Sequence, residues 1–298
     1  MYKMMRGKVF FLGVLAIVFA PMLALPALGS QAGASAQLDA NALVRRAIQN
    51  RLAPSKRHQP MRYTLHVHDE RHDTTKEIVE TKDGDVARLV AVNGKPLSAD
   101  AEQAELARLD NLAAHPELQE HRKRSEQKDA ARVDRLMAML PDALVYRLEG
   151  TVACGAAPAA PAQCYRLSFA PNSQWSPPDL EADLLRGVAG EVWIDQAQER
   201  LTRLDAHFIK DVDFGFGLVG KLYKGGTVLL EQTDVGGGEW ELTGITVHVS
   251  GKAFLVKGLS EQIKEEAIGF SPVWVMGYRD AIALLRKNGV AAPPEGGR

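Results

Sequence analysis

From Val188 to Ser260 the chain alternates apolar and polar residues almost without a break, with glycine-rich turns between the alternating segments. Successive side chains of a strand point to opposite faces, so Leu204, Ala206 and Phe208 share one side while Arg203, Asp205 and His207 take the other. Phe214, Phe216 and Leu218 repeat the pattern, followed by the turn Gly225-Gly226, the segment Val228–Glu231 and the turn Gly236–Gly238. After Glu239-Trp240-Glu241-Leu242 the apolar parity switches at Gly244 to Ile245, Val247 and Val249, as a bulge that bends the sheet would produce. One greasy face, one polar face and short turns predict an antiparallel meander half covered by something else.

That covering comes from helical segments elsewhere. Leu43, Val44, Ala47 and Ile48 have helical spacing, with Asn41 as cap. Ser98 caps a second helix with acids in its first turn and an apolar stripe of Leu106, Leu109 and Leu112. Glu117 to Leu140 reads as a third, anchored by Val133, Leu136, Met137 and Leu140, and its middle is almost wholly charged. Tyr278 to Lys287 is the last. Tyr63, Leu65 and Val67 alternate with Thr64, His66 and His68 as a first strand, and strands over 74–81 and 86–92 lead to the turn Asn93-Gly94-Lys95-Pro96. Strands over 143–152 and 163–169 flank the two cysteines. The predicted fold class is α+β: a strongly curved antiparallel sheet, an unclosed β-barrel of about eleven strands, with helices covering one face.

The chain opens as an export signal: Lys3, Arg6 and Lys8, an apolar core from Val9 to Leu25, and the small residues Ala34-Ser35-Ala36 before Gln37. The apolar run is shorter than the roughly 20 residues that span a bilayer and contains Pro21, so cleavage is expected rather than anchoring. The expectation is therefore a signal peptide over 1–36, one domain over 37–288 and a disordered tail over 289–298, in the periplasm and without a stable membrane span. The formal net charge of −1 becomes −4 without the three signal cations, which gives no support for nucleic-acid binding. Cys154 and Cys164 are the only cysteines, and in an oxidising compartment they are expected to form a structural disulfide stapling a hairpin end.

No catalytic motif stands out. There is no Gly-x-Ser-x-Gly elbow, and Asp213-Phe214-Gly215 spells a kinase triplet without the phosphate loop or catalytic loop that would give it meaning. His66 and His68 share a face near Asp69, Glu70 and His72 and make the best metal candidate, but that face also carries Arg62 and Thr64 and reads first as solvated strand surface. No metal, cofactor or catalysis is expected. The aromatic set Trp193, Phe208, Phe214, Phe216 and Trp240, with Leu204 and Leu218, is read two ways: as ordinary core, or as the lining of a cavity for an acyl chain.

Gly190-Glu191-Val192-Trp193-Ile194-Asp195, then Arg200-Leu201-Thr202-Arg203-Leu204 and a long meander, resembles the periplasmic outer-membrane lipoprotein-sorting carriers, the LolA/LolB-like group. Gly238–Leu242 and the capped helix after Asn93–Ser98 fit the same layout. The resemblance implies an unclosed barrel of about eleven strands with helices as a lid over an apolar cavity, holding lipid acyl groups without cofactor or catalysis. The expected partner is a lipid or acyl chain, or a lipoprotein, and the chain is expected to be a monomer. The charged helix over 117–140 is longer than such a lid requires, and no gating arginine is carried over. The alternative reading is a non-catalytic envelope scaffold that docks through that helix.

Overall fold

Among the described residues thirteen antiparallel strands form one open sheet. The computed structural model describes residues 39–53, 59–154, 162–214, 220–253 and 257–287; the expected export signal and C-terminal tail lie outside the described residues. The strands are β1 (Met61–Asp69), β2 (Asp73–Val79), β3 (Val86–Val92), β4 (Lys95–Pro96), β5 (Leu144–Ala153), β6 (Gln163–Pro171) and β7 (Val188–Asp195). They continue as β8 (Leu201–Phe208), β9 (Val212–Phe214), β10 (Gly220–Leu222), β11 (Thr227–Asp234), β12 (Trp240–Ala253) and β13 (Lys257–Pro272). The helices are α1 (Ala40–Leu52), α2 (Ala99–Ala114), α3 (Pro116–Ala143) and α4 (Tyr278–Lys287), with a 3-10 turn at Ala182–Gly187.

The main path runs β4-β3-β2-β1-β13-β12-β11-β8-β7-β6-β5, and the short β9–β10 hairpin hangs from β12. Neighbours in sequence are mostly neighbours in space, except that the last strand, β13, lies against the first. The parity switch at Gly244 is an irregularity between β11 and β12, where Glu231 pairs with Gly244 but Gln232 pairs with Leu242. Further shifts occur between β1 and β13, β2 and β3, β5 and β6, and β7 and β8. Each such shift adds local twist, so the sheet curves.

α1 buries Leu43, Val44, Ala47 and Ile48 as its spacing predicts. With Met137 and Leu140 of α3 it covers the flank formed by Leu167, Val192, Ile194 and Leu201. Asn41 is not the cap: it lies inside the first turn, where its side chain donates to the Pro141 carbonyl and accepts from the Tyr146 amide. It thereby ties down the end of α3, where Tyr146 Oη also donates to the Leu140 carbonyl.

At the opposite flank α2 and α4 form a second core with Val79, Val86, Leu109, Leu112, Met276, Ile282 and Leu285. Here α4 sits on the side of β2 and β3 that carries Val79, Val86 and Arg88, opposite Ile78 and Lys76. Arg88 is buried because its guanidinium donates to the Leu285 carbonyl and pairs with Glu102. An open sheet has two edges, and unpaired backbone groups there invite foreign strands. On β3, Glu105 accepts from the Leu89 amide at 2.9 Å and Arg108 donates to the Ala87 carbonyl at 2.5 Å. The two side chains are joined to each other at 2.7 Å, so one ion pair stands in for the missing strand.

The expected disulfide is present between Cys154 and Cys164 and closes the β5–β6 hairpin. For so short a loop its contribution is about 2–3 kcal/mol. Close packing also limits β7. A Cβ built at Gly190 would lie 1.9 Å from the Asp205 carbonyl oxygen on β8. Gly190→Ala should therefore lower stability by about 1–3 kcal/mol, read as a lower urea midpoint with unchanged slope.

Candidate ligand groove

Strand register lines up one face of the sheet in rows. Val67 lies opposite Glu265, which is opposite Ile245; the row continues through Leu230, Leu204, Val192 and Leu167 to Leu148. The next row carries Ile263, Val247, Val228, Ala206, Gly190, Phe169 and Tyr146. At the β5–β8 flank Leu167, Val192, Phe169 and Tyr146 of these rows are buried, while Leu148 at the sheet edge is exposed. In the middle, Leu65, Val67, Leu204, Val228, Leu230, Ile245 and Val247 are only half-buried although they face the helix side. The result is an apolar trough that the helices roof without filling.

α3 is the beam across it. Near its start Gln119 donates to the Asp83 carbonyl at 3.0 Å and Lys123 to the Lys82 carbonyl at 2.8 Å, both on the β2–β3 turn. Toward its end Arg132 reaches Glu181 at 3.0 Å, and Arg135 pairs with Asp179 and Glu181. Between these anchors every residue from Arg124 to Ala131 is exposed. The charged middle of the helix spans rather than packs.

At the β1–β13–β12 seam the trough holds a groove of about 190 Å³. It is lined by Tyr63, Leu65, Leu242, Ile245, Ala267 and Phe270, with Glu241 and Glu265 as its charged members. Tyr63 and Phe270 stack at 4.8 Å between ring centroids. Burial and the carboxylates of Asp85, Glu80, Glu241 and Glu265 hold the Tyr63 phenol neutral by raising its pKa. Burial raises Glu265 as well, against the pull of Lys76. Lys76 is itself lowered by burial, with Arg108 and Arg122 adding to the effect.

The sequence-derived lining set divides on this geometry. Leu204 lies in the trough and is half-buried. Phe208 shares its face but is only 3% exposed, paired with Val188, so it is core. Trp193 does not join them: it lies on the outer face, where Arg203 sits 5.4 Å from its ring and itself bonds Glu231 at 2.8 Å. Its neighbours Val192 and Ile194 take the inward positions, and period two sends Trp193 outward. Trp240, at the start of β12, donates from its indole to Gln198 at 2.9 Å, away from the seam. Phe214 ends β9 opposite Gly220, and Phe216 and Leu218 lie outside the described residues. His66 contacts Thr75 at 3.1 Å, and no group of three metal-binding side chains occurs among the described residues.

The seam residues on β13 were missed because Glu261–Phe270 reads as a charged segment. Its signal is nevertheless there: Ile263, Glu265 and Ala267 fall on one parity and Gln262, Lys264 and Glu266 on the other.

Fold and groove together define an open antiparallel half-barrel with a helical strap over an apolar trough. No family model matches the sequence, and no curated protein does. Among solved structures the chain is similar to a DUF1329 family protein from Desulfovibrio piger, at 10% identity over 82% of this chain and 97% of that one, with a TM-score of 0.25. That score is too low for any property to be carried across. Among the described residues no helix is long and apolar enough to cross a membrane.

Asp85, at the turn on which α3 rests, is pushed up to about 7 by burial and by Glu80, Glu126 and Glu241, against the opposing Arg122. An acid that holds its proton more tightly when folded contributes stability below its unfolded value near 3.8 and loses that contribution as pH rises through 7. Asp85→Asn should thus gain on the parent protein in melting temperature steadily from pH 4 to pH 8. A constant gap across that range would show that Asp85 titrates normally.

Proposed function

We propose that the chain is a non-catalytic carrier of the cell envelope, which takes an acyl group of a lipid or lipid-modified protein into the trough beneath α3. The observation that supports this most is the stripe of half-buried aliphatic side chains on the helix-facing side of the central strands, flanked by fully buried positions. Unfilled apolar surface held under a roof has no structural use of its own, since burying it would stabilise the fold by about 25 cal/mol per Å². The groove of about 190 Å³ lies below the roughly 300–1,000 Å³ typical of ligand pockets. It admits part of an acyl chain, and a longer one requires the strap to lift from the trough. The expected export signal and the Cys154–Cys164 disulfide fit an oxidising envelope compartment.

A second reading, an envelope scaffold docking through α3, is favoured by the exposed run Arg124–Ala131. The two readings part in one experiment. Native mass spectrometry of protein purified from its envelope should show bound lipid, and the delipidated protein should take up a fluorescent fatty acid. Ile245→Trp, which fills the groove from its wall, should weaken that uptake at least fivefold while the melting temperature stays within a few degrees. No bound lipid and no uptake by the parent protein would remove the carrier reading in favour of the scaffold.

A further inference from the structure

The link between β13 and α4 displays the sequence Val273-Trp274-Val275-Met276 in an unusual way. Val273 and Met276 are buried, whereas Trp274 and Val275 are 64% and 68% exposed, the highest values among the exposed large hydrophobic residues described. Both ends of the tip are pinned. The Val273 amide donates to the Pro60 carbonyl at 2.8 Å, and the Lys82 amide donates to the Met276 carbonyl at 3.3 Å. Just beyond, the Tyr278 amide donates to Asp83 at 3.2 Å. A tryptophan on a loose loop can fold back on the surface; this one is held outward between two buried anchors, so little ordering entropy is lost when it meets a partner.

The size of the tip selects among partners. A stable protein interface covers about 800 Å² on each side and needs a packed apolar centre with a polar rim. Two adjacent side chains cannot supply that centre. They do match a bilayer interface, where an indole lies among the headgroups with its N–H still hydrated and a neighbouring aliphatic group enters the acyl region. The exposed cations Lys82 and Arg279 lie beside the tip and are matched in number by the carboxylates of Asp83 and Asp280, so its surroundings are close to neutral. With no net charge beside it, the apolar pair carries the attachment, which suits a membrane surface held weakly enough to release.

We propose that Trp274 and Val275 form a reversible membrane-docking tip that sets the protein against a lipid surface. This deepens the carrier reading, on which it rests for its purpose, by naming the surface at which cargo is exchanged. The tip follows β13 directly, and Ala267 and Phe270 of that strand line the groove, so the tip and one groove wall belong to one continuous stretch of chain.

The test is co-sedimentation of the full chain with vesicles of phosphatidylethanolamine and phosphatidylglycerol, alongside tryptophan emission. The parent protein should sediment with vesicles and shift its emission to the blue. The double variant Trp274→Ser, Val275→Ser should bind at least fivefold more weakly and lose the shift, with an unchanged melting temperature because both side chains are exposed. Trp274→Phe should restore part of the binding. Equal vesicle binding by parent and double variant, or no binding by the parent, overturns the proposal, and so does a tip required only for capture of a protein partner. Fatty-acid uptake without vesicles should be the same in parent and double variant. Loss of uptake in both, with vesicle binding intact, would count against the carrier reading and leave the docking tip standing.

Discussion

The pairing of β1 with β13 holds the molecule together. Without it the sheet would fall into two pieces, the small meander β1–β4 and the larger run that ends at β5. Its register joins Met61 to Pro272 and Asp69 to Ile263, some 200 residues apart along the chain. Contacts of such sequence separation form late in folding because the intervening loop must be closed before they stabilise anything. The groove lies along this seam, with Tyr63 and Leu65 supplied by one strand and Glu265, Ala267 and Phe270 by the other. Closing the sheet and building the site are one event.

Around that seam the fold treats its two ends and its middle differently. At one flank α1 and α3 bury the sheet face; at the other α2 and α4 build a core of their own. The middle is crossed by α3, anchored at both ends and exposed between them. A helix fixed this way can lift locally without unravelling either flank, because its central residues hold no buried apolar contacts to lose. Charged groups under such a roof are costly, and their shifts record it. Asp85 and Glu265 are raised and Lys76 lowered, each with burial as the first cause.

How much of this was legible depended on whether a residue's role was local. Strand alternation placed Leu204, Ala206 and Phe208 on one face, and the register across β8 and β11 agrees. The helix caps and turns followed the same logic: Ser98 caps α2, and Asn93-Gly94 adopts the positive φ that its turn requires. Aromatic character alone points Trp193 toward the cavity, whereas its parity between the buried Val192 and Ile194 sends it to the outer face. β13 went unseen past Ser260 because Glu261, Lys264, Glu265 and Glu266 mask an alternation that only two apolar residues mark.

By itself the sequence determined the α+β class, the alternating faces, the positions of the helices and the pairing of the two cysteines. These depend on period, caps and spacing, which act within a few residues. Tertiary structure alone decided that the last strand would lie beside the first, that Trp193 would face outward against Arg203, and that the central aliphatic row would be roofed but left unfilled. Those outcomes depend on which distant surfaces meet, and residue order along the chain carries no measure of the space between them.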